Sequence, residues 1–171
     1  DVDISMLDCQ ISLLNYMATM YFLSGKDPYP IGNSHFVHVP YNTFRVADGF
    51  IVIAVITDNF WQNLKTVVPV PEFDTPEYDT QPGRWAARDF INSKLNEVLS
   101  TREGAYWLQK LEAARIPCAP VNRFSQALAD EQVLYRNMVV ELQTPDGRAT
   151  KGPGNPIKFS RTSEESFSAA P

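Results

Sequence analysis

The chain has 171 residues, 44% of them hydrophobic and 20% charged, with a formal net charge of −5. That length and composition fit one globular domain with a real core, or a small domain with extensions. The acidic balance argues against a nucleic-acid binder, which is usually basic, and no apolar run reaches membrane-spanning length.

Residues 1–4 alternate polar and apolar and read as the tail of a strand. Ser5 suits a helix N-cap, with Asp8 three residues on in a capping-box-like position. Residues 6–23 then predict one helix, rich in Met6, Leu7, Leu13, Leu14, Met17, Met20 and Tyr21 and carrying few charges. A helix this apolar is expected to be buried nearly all round. Its neighbours in the chain offer too little surface to cover it, which implies a partner from the same polypeptide or another subunit. Gly25 is placed to end the helix in the left-handed conformation. Residues 26–42 hold Pro28, Pro30, Gly32 and Pro40 and read as a linker with turns.

Residues 44–46 and 50–56 read as a β-hairpin around Asp48-Gly49, a strong tight-turn signal. Thr57 or Asp58 can cap a helix over residues 60–68. Pro69, Pro71 and Pro76 then break the chain into a long loop. Residues 84–99 predict a second amphipathic helix, with Trp85, Phe90, Leu95 and Leu99 as candidate buried positions. Thr101 can cap a third over residues 106–115. Residues 116–121 read as a short strand, placed at an edge by Pro117 and Pro120. Residues 124–135 are expected to be helical, in one or two pieces. Residues 138–143 and 148–151 read as strands around Pro145-Asp146-Gly147. The tail from Gly152 reads as extended and partly irregular, with a Ser/Glu-rich end. The expected fold class is α/β: a small α+β domain with a short antiparallel sheet and several helices, anchored by Trp61, Trp85 and Trp107.

Few residues suggest chemistry by themselves. Cys9 and Cys118 lie far apart without metal-like spacing and read as two reduced, buried thiols. Cys118 has no histidine near it in sequence and apolar neighbours, so it reads as structural rather than nucleophilic. His35 and His38 are the only histidines, too few soft ligands to close a zinc site. Asp48-Gly49 is a turn, not a metal ligand, and Lys151-Gly152-Pro153-Gly154 lacks the phosphate-loop pattern. Met17, Met20 and Tyr21 sit at helical spacing and fit either core packing or an adaptable apolar pocket. No basic leader with an apolar stretch opens the chain, so a cytoplasmic location is expected.

Three phrases stand in fixed order: Val2-Asp3-Ile4-Ser5-Met6-Leu7-Asp8, then Pro40-Tyr41-Asn42-Thr43-Phe44-Arg45-Val46-Ala47-Asp48-Gly49-Phe50-Ile51, then Ile116-Pro117-Cys118-Ala119-Pro120-Val121. Together, over nearly all of the chain, they resemble the second half of the class III CoA-transferase family, which includes formyl-CoA transferase, carnitine CoA-transferase and α-methylacyl-CoA racemase. The resemblance implies an enzyme that moves CoA between carboxylic acids through an aspartyl-CoA intermediate. Its catalytic aspartate would lie upstream of Asp1, so neither Asp3 nor Asp8 is expected to fill that role, and this chain alone is expected to be inactive. It also implies a division into the exit helix of a missing large nucleotide-fold domain (1–25), a linker with an active-site loop (26–42), a small α/β domain (43–138) and a return segment (139–171).

By the same resemblance, the segment from Gly32 to Tyr41 stands where the family has its active-site loop, although it is not glycine-rich here. The implied substrate-binding residues are Asn33, Ser34, His35, His38 and Tyr41, with Met17 towards the acyl group. The implied substrates are an acyl-CoA thioester and a carboxylic acid, with no tightly bound cofactor, no metal, no nucleic acid and no membrane, in an interlocked homodimer. Two alternatives stand beside this reading: α-methylacyl-CoA racemase on the same scaffold, whose acid–base pair would also lie upstream, and a non-catalytic assembly fragment.

Overall fold

A computed structural model describes residues 3–161. The chain forms two compact units, Asp1–Cys118 and Ala119–Pro171. In the first unit the leading apolar segment is two helices, not one: α1 (Met6–Leu13) and α2 (Tyr16–Ser24). The break falls at Asn15, whose φ of 49° and ψ of −131° are incompatible with a continuing helix. Ser5 caps α1 by accepting the Asp8 N–H at 3.3 Å, and Gly25, at φ 66°, ends α2. Burial all round is not achieved within the chain. Neither helix has a buried residue, and Met6, Leu7, Leu13, Phe22 and Leu23 are each at least 69% exposed. Of the expected opening strand, Asp3 and Ile4 are in no regular element, and Asp1 and Val2 lie outside the described residues.

The hairpin comprises β1 (Tyr41–Val46) and β2 (Gly49–Ala54), paired antiparallel from Tyr41↔Ala54 to Val46↔Gly49. Its turn is Ala47-Asp48, one residue earlier than the expected Asp48-Gly49. Two bonds to residues 102–104 hold it there: the Ala47 N–H donates to the Arg102 carbonyl (2.9 Å), and Asp48 Oδ1 accepts the Gly104 N–H (2.8 Å). Phe44, Val46, Ile51 and Ile53 follow the two-residue period of a strand and are buried. A third strand, β3 (Cys118–Pro120), completes the order β1-β2-β3 and is an edge, as its proline predicts.

Helix α3 (Asp58–Val67) is capped by Thr57, which accepts the Phe60 N–H at 3.3 Å. The proline-rich stretch after it is more regular than the expected loop. It forms two 3-10 turns, Pro71–Phe73 and Pro76–Asp79, with Phe73 buried 5.1 Å from the Trp61 ring. The expected helix 84–99 is instead α4 (Gln81–Ala86) and α5 (Arg88–Leu99). The interruption at Ala87 resets the helical phase. Ile91, Leu95 and Leu99, four residues apart, enter the core, while Trp85 and Phe90 are 43% and 40% exposed, contrary to expectation. Helix α6 (Gly104–Ala113) begins before Tyr106, and Thr101 does not cap it; the Thr101 hydroxyl donates to the Val98 carbonyl. Trp107 closes on α5 by donating its indole N–H to the Leu99 carbonyl at 2.8 Å. Cys9 is exposed rather than buried because α1 is uncovered, and Cys118 is half-buried; both thiols are free.

The second unit contains α7 (Phe124–Ala127), α8 (Glu131–Tyr135) and an antiparallel hairpin of β4 (Val139–Gln143) and β5 (Ala149–Pro153). Asp130 caps α8, accepting the Gln132 and Val133 N–H groups at 2.9 and 3.2 Å. Gly154 donates to the Met138 carbonyl at the open end of the hairpin. The Ser/Glu-rich end, 162–171, lies outside the described residues. Among the described residues no helix is long and apolar enough to cross a membrane.

Arg84 is the one buried charged side chain among the described residues, with no exposed surface. Its Nε donates to the Val39 carbonyl (2.9 Å), one terminal nitrogen to the Tyr78 carbonyl (2.8 Å), and the other to Asp58 Oδ1 (2.6 Å) and Gln81 Oε1 (2.8 Å). The guanidinium also lies 5.4 Å from the Trp61 ring centroid. Gly83 lets α4 come this close: a Cβ there would sit 1.8 Å from the Glu77 carbonyl oxygen, a backbone atom. Arg84→Met would keep the apolar stem and strip the donors from two inner carbonyls. The expected loss in urea unfolding is about 2–4 kcal/mol. Arg148→Ala, which breaks an exposed pair with Asp146 at 2.7 Å, should cost less than about 1 kcal/mol. Equal losses for the two variants would refute the anchoring role of Arg84.

Candidate functional site

The segment from Gly32 to Tyr41 is fixed at both ends and in its middle. Ser34 Oγ accepts from Asn42 Nδ2 at 2.9 Å, which leaves its own hydroxyl hydrogen free to donate. The His35 N–H donates to the Tyr41 carbonyl at 3.1 Å, and the Val55 N–H to the Pro40 carbonyl at 2.8 Å. Helix α4 holds the middle. Trp85 Nε1 donates to the Phe36 carbonyl (2.9 Å), Gln81 Nε2 to the Val37 carbonyl, and Arg84 Nε to the Val39 carbonyl.

The structure gathers three of the residues expected at the site into one ring cluster. His35 stacks on Tyr41 with centroids 5.1 Å apart and planes 16° apart, and His38 lies 4.8 Å away. Tyr16 of α2 joins them, stacked on His35 at 5.5 Å and 15°. His35 Nδ1 accepts two backbone N–H groups, from Val37 (3.0 Å) and His38 (3.2 Å). Burial, and secondarily the charge of His38, hold the His35 imidazolium pKa below the ordinary histidine value. His38 Nδ1 is buried without a hydrogen-bond partner among the described residues.

Met17 lies elsewhere on α2. It lines a cleft of about 140 Å³ with Met20, Tyr21, Ser24, Lys26, Asp27, Pro28, Tyr29 and Phe36. Met17, Met20 and Tyr21 are thus together, as their spacing suggests, on a half-covered surface rather than in the core. Asn33 is exposed. Burial, then the charge of Glu112, push the Cys118 thiol pKa above the ordinary cysteine value. Among the described residues no cluster of His, Cys, Asp and Glu could hold a metal ion.

Tyr16, Gln81, Arg84 and Trp85 were not among the residues the sequence singled out for the site. The signal for Trp85 was its single polar atom, the indole N–H, which donates to the Phe36 carbonyl.

Comparison with known proteins places this chain in a family. The profile of CoA-transferase family III matches residues 1–171, and the chain belongs to that family. It is 31% identical over 172 aligned positions to the succinyl-CoA:mesaconate CoA-transferase of Haloarcula marismortui, covering 99% of this chain and 43% of that protein. It is 29% identical over 160 positions to the acetyl-CoA:oxalate CoA-transferase of Acetobacter aceti, covering 93% and 40%. The crystal structure of a CaiB/BaiF family protein from Brucella suis superposes with a TM-score of 0.75 at 30% identity, over 94% of this chain and 41% of that one. The chain spans less than half the length of these curated relatives.

The lowered His35 value has a thermodynamic consequence. The folded ring resists protonation, so the unfolded chain takes up the proton first as pH falls. Its contribution to stability is therefore full above the ordinary histidine value of about 6.5 and is lost as pH falls from there through the lower folded value. Urea unfolding at about pH 7.5 and about pH 5.5 should show a larger loss for the parent than for His35→Gln. An identical loss in both would mean that His35 titrates normally.

Proposed function

We propose that the chain is the C-terminal part of an enzyme that moves CoA between an acyl-CoA thioester and a carboxylic acid. The observation that carries this reading is the ordered 32–41 segment with its ring cluster, beside a methionine-lined cleft, in a member of CoA-transferase family III. In the proposed reaction an aspartate upstream of Asp1 attacks the thioester carbonyl and expels CoA as the thiolate, forming a mixed anhydride. The thiolate then attacks the aspartyl carbonyl, releasing the donor acid and leaving aspartyl-CoA. The acceptor carboxylate repeats the two steps in reverse and departs as the new acyl-CoA. Such covalent relay divides one hard exchange into easier ones. The relatives reported above bear CoA-transferase names, which favours transfer over racemisation.

In this reading residues 32–41 form a wall and lid. Asn33 and Ser34 donate to a carboxylate or thioester oxygen, His35 and His38 line the anionic side, Tyr41 backs the rings, and Met17 meets the acyl group. The division into 1–25, 26–42, 43–138 and 139–171 belongs to the same proposal, with a cytoplasmic, interlocked homodimer as the working form. A lid protects hydrolysable intermediates from water. Replacing Asn33, Ser34 and His35 together by alanine in the whole protein should lower turnover, leave the fold intact and raise the ratio of hydrolysis to transfer. Unchanged rates and an unchanged ratio would reduce the segment to a linker.

The bare apolar surface of α1 and α2 belongs, in this proposal, against the upstream domain or a second subunit. Residues 1–171 alone should show no transfer and should self-associate through these helices. Removing residues 1–23 should give a more soluble protein. Sedimentation decides: a monodisperse monomer of 1–171 at high concentration would sink the assembly reading.

A further inference from the structure

Two adjacent peptide groups in the candidate loop are hydrogen-bonded at both ends. The Phe36–Val37 group accepts from Trp85 through its oxygen and donates to His35 Nδ1 through its N–H. The Val37–His38 group accepts from Gln81 and donates to the same Nδ1. Both peptides are trans, so oxygen and hydrogen point to opposite sides. A donor on α4 that fixes the oxygen therefore aims the N–H at the histidine. Bonds in such a chain polarise one another and strengthen cooperatively.

The consequence for the ring is specific. A nitrogen that accepts two N–H bonds cannot carry a proton, so the neutral imidazole keeps its hydrogen on Nε2. Stacking on Tyr16 and Tyr41 holds the ring plane, and His38 at 4.8 Å opposes a positive charge. Among the described residues, the titratable groups that face the ring are His38, Tyr16 and Tyr41. We propose that His35 is an uncharged Nε2–H donor to the acyl or carboxylate oxygen of the substrate, and that Trp85 and Gln81 are positioning residues that set its tautomer through the loop backbone. The identity of the oxygen rests on the CoA-transfer reading; the tautomer coupling does not. A preorganised neutral donor stabilises developing negative charge on an oxygen. It does so without trapping the carboxylate product in an ion pair.

The test begins with the 171-residue chain labelled with 15N-histidine, which gives only two ring systems. A long-range proton–nitrogen correlation at neutral pH should show His35 protonated on Nε2 alone. Trp85 is 43% exposed, so Trp85→Phe should fold. Gln81→Glu keeps an acceptor for Arg84. Each variant should convert His35 to a mixture of tautomers and move its titration midpoint upward, because a bond to the unprotonated Nδ1 is lost. A parent His35 protonated on Nδ1, or a tautomer unchanged in both variants, would overturn the coupling.

In the whole protein, His35→Leu should lower kcat by about a hundredfold, in the range for losing one oxyanion donor, with a smaller change in KM. His35→Gln, which can place an N–H near the Nε2 position, should restore most of the rate. Full transfer by His35→Leu overturns the donor role. A parent protein that moves no CoA overturns the transfer reading and the substrate oxygen with it, while the nuclear resonance result still decides the coupling.

Discussion

A guanidinium removed from water must find its hydrogen-bond partners inside the protein. Arg84 finds them on four separate pieces of chain: the candidate loop at Val39, the second 3-10 turn at Tyr78, the N-terminus of α3 at Asp58 and its own helix at Gln81. Asp58 is well placed for this, since a helix N-terminus favours a carboxylate. Because its partners belong to different elements, Arg84 cannot be displaced without loosening the whole junction. The nearby Gln81 and Trp85 extend the same grip along the loop, so one buried cation and its short helix determine where the ring cluster stands.

Much of the fold was legible in the sequence because its signals are local. The hairpin, the Thr57 cap, the edge strand at Pro120 and the second hairpin all follow from strand periodicity, capping chemistry or proline's missing donor. The failures share a cause. The turn moved from Asp48-Gly49 to Ala47-Asp48 because Gly104 and Arg102, some fifty residues away, bond to it. The helix at 84–99 split because α4 is placed by Arg84 and by its close approach to Glu77, neither of which is a periodic feature. Asn15 broke the first helix where composition alone suggested continuity.

The candidate site was legible in outline and not in wiring. Position relative to three phrases picked out His35, His38 and Tyr41, which do come together. Tyr16 could be found only once α2 was known to restart after Asn15 and lie beside the loop. Trp85 was read as a hydrophobe from its place on a helix, whereas its indole N–H is the atom that bears on the site. The polar end of an amphipathic side chain is invisible to hydrophobic periodicity, which counts the ring and ignores the donor.

Helix α4 grips the loop entirely by main-chain oxygens, at Phe36, Val37 and Val39. Every amino acid presents that same oxygen. The path of the loop is thus insulated from the identity of the side chains it carries, and substitutions at Phe36 or Val37 can reshape the neighbouring surface while the track beneath them stays in place. A protein built this way can diversify what it selects without rebuilding how it is held.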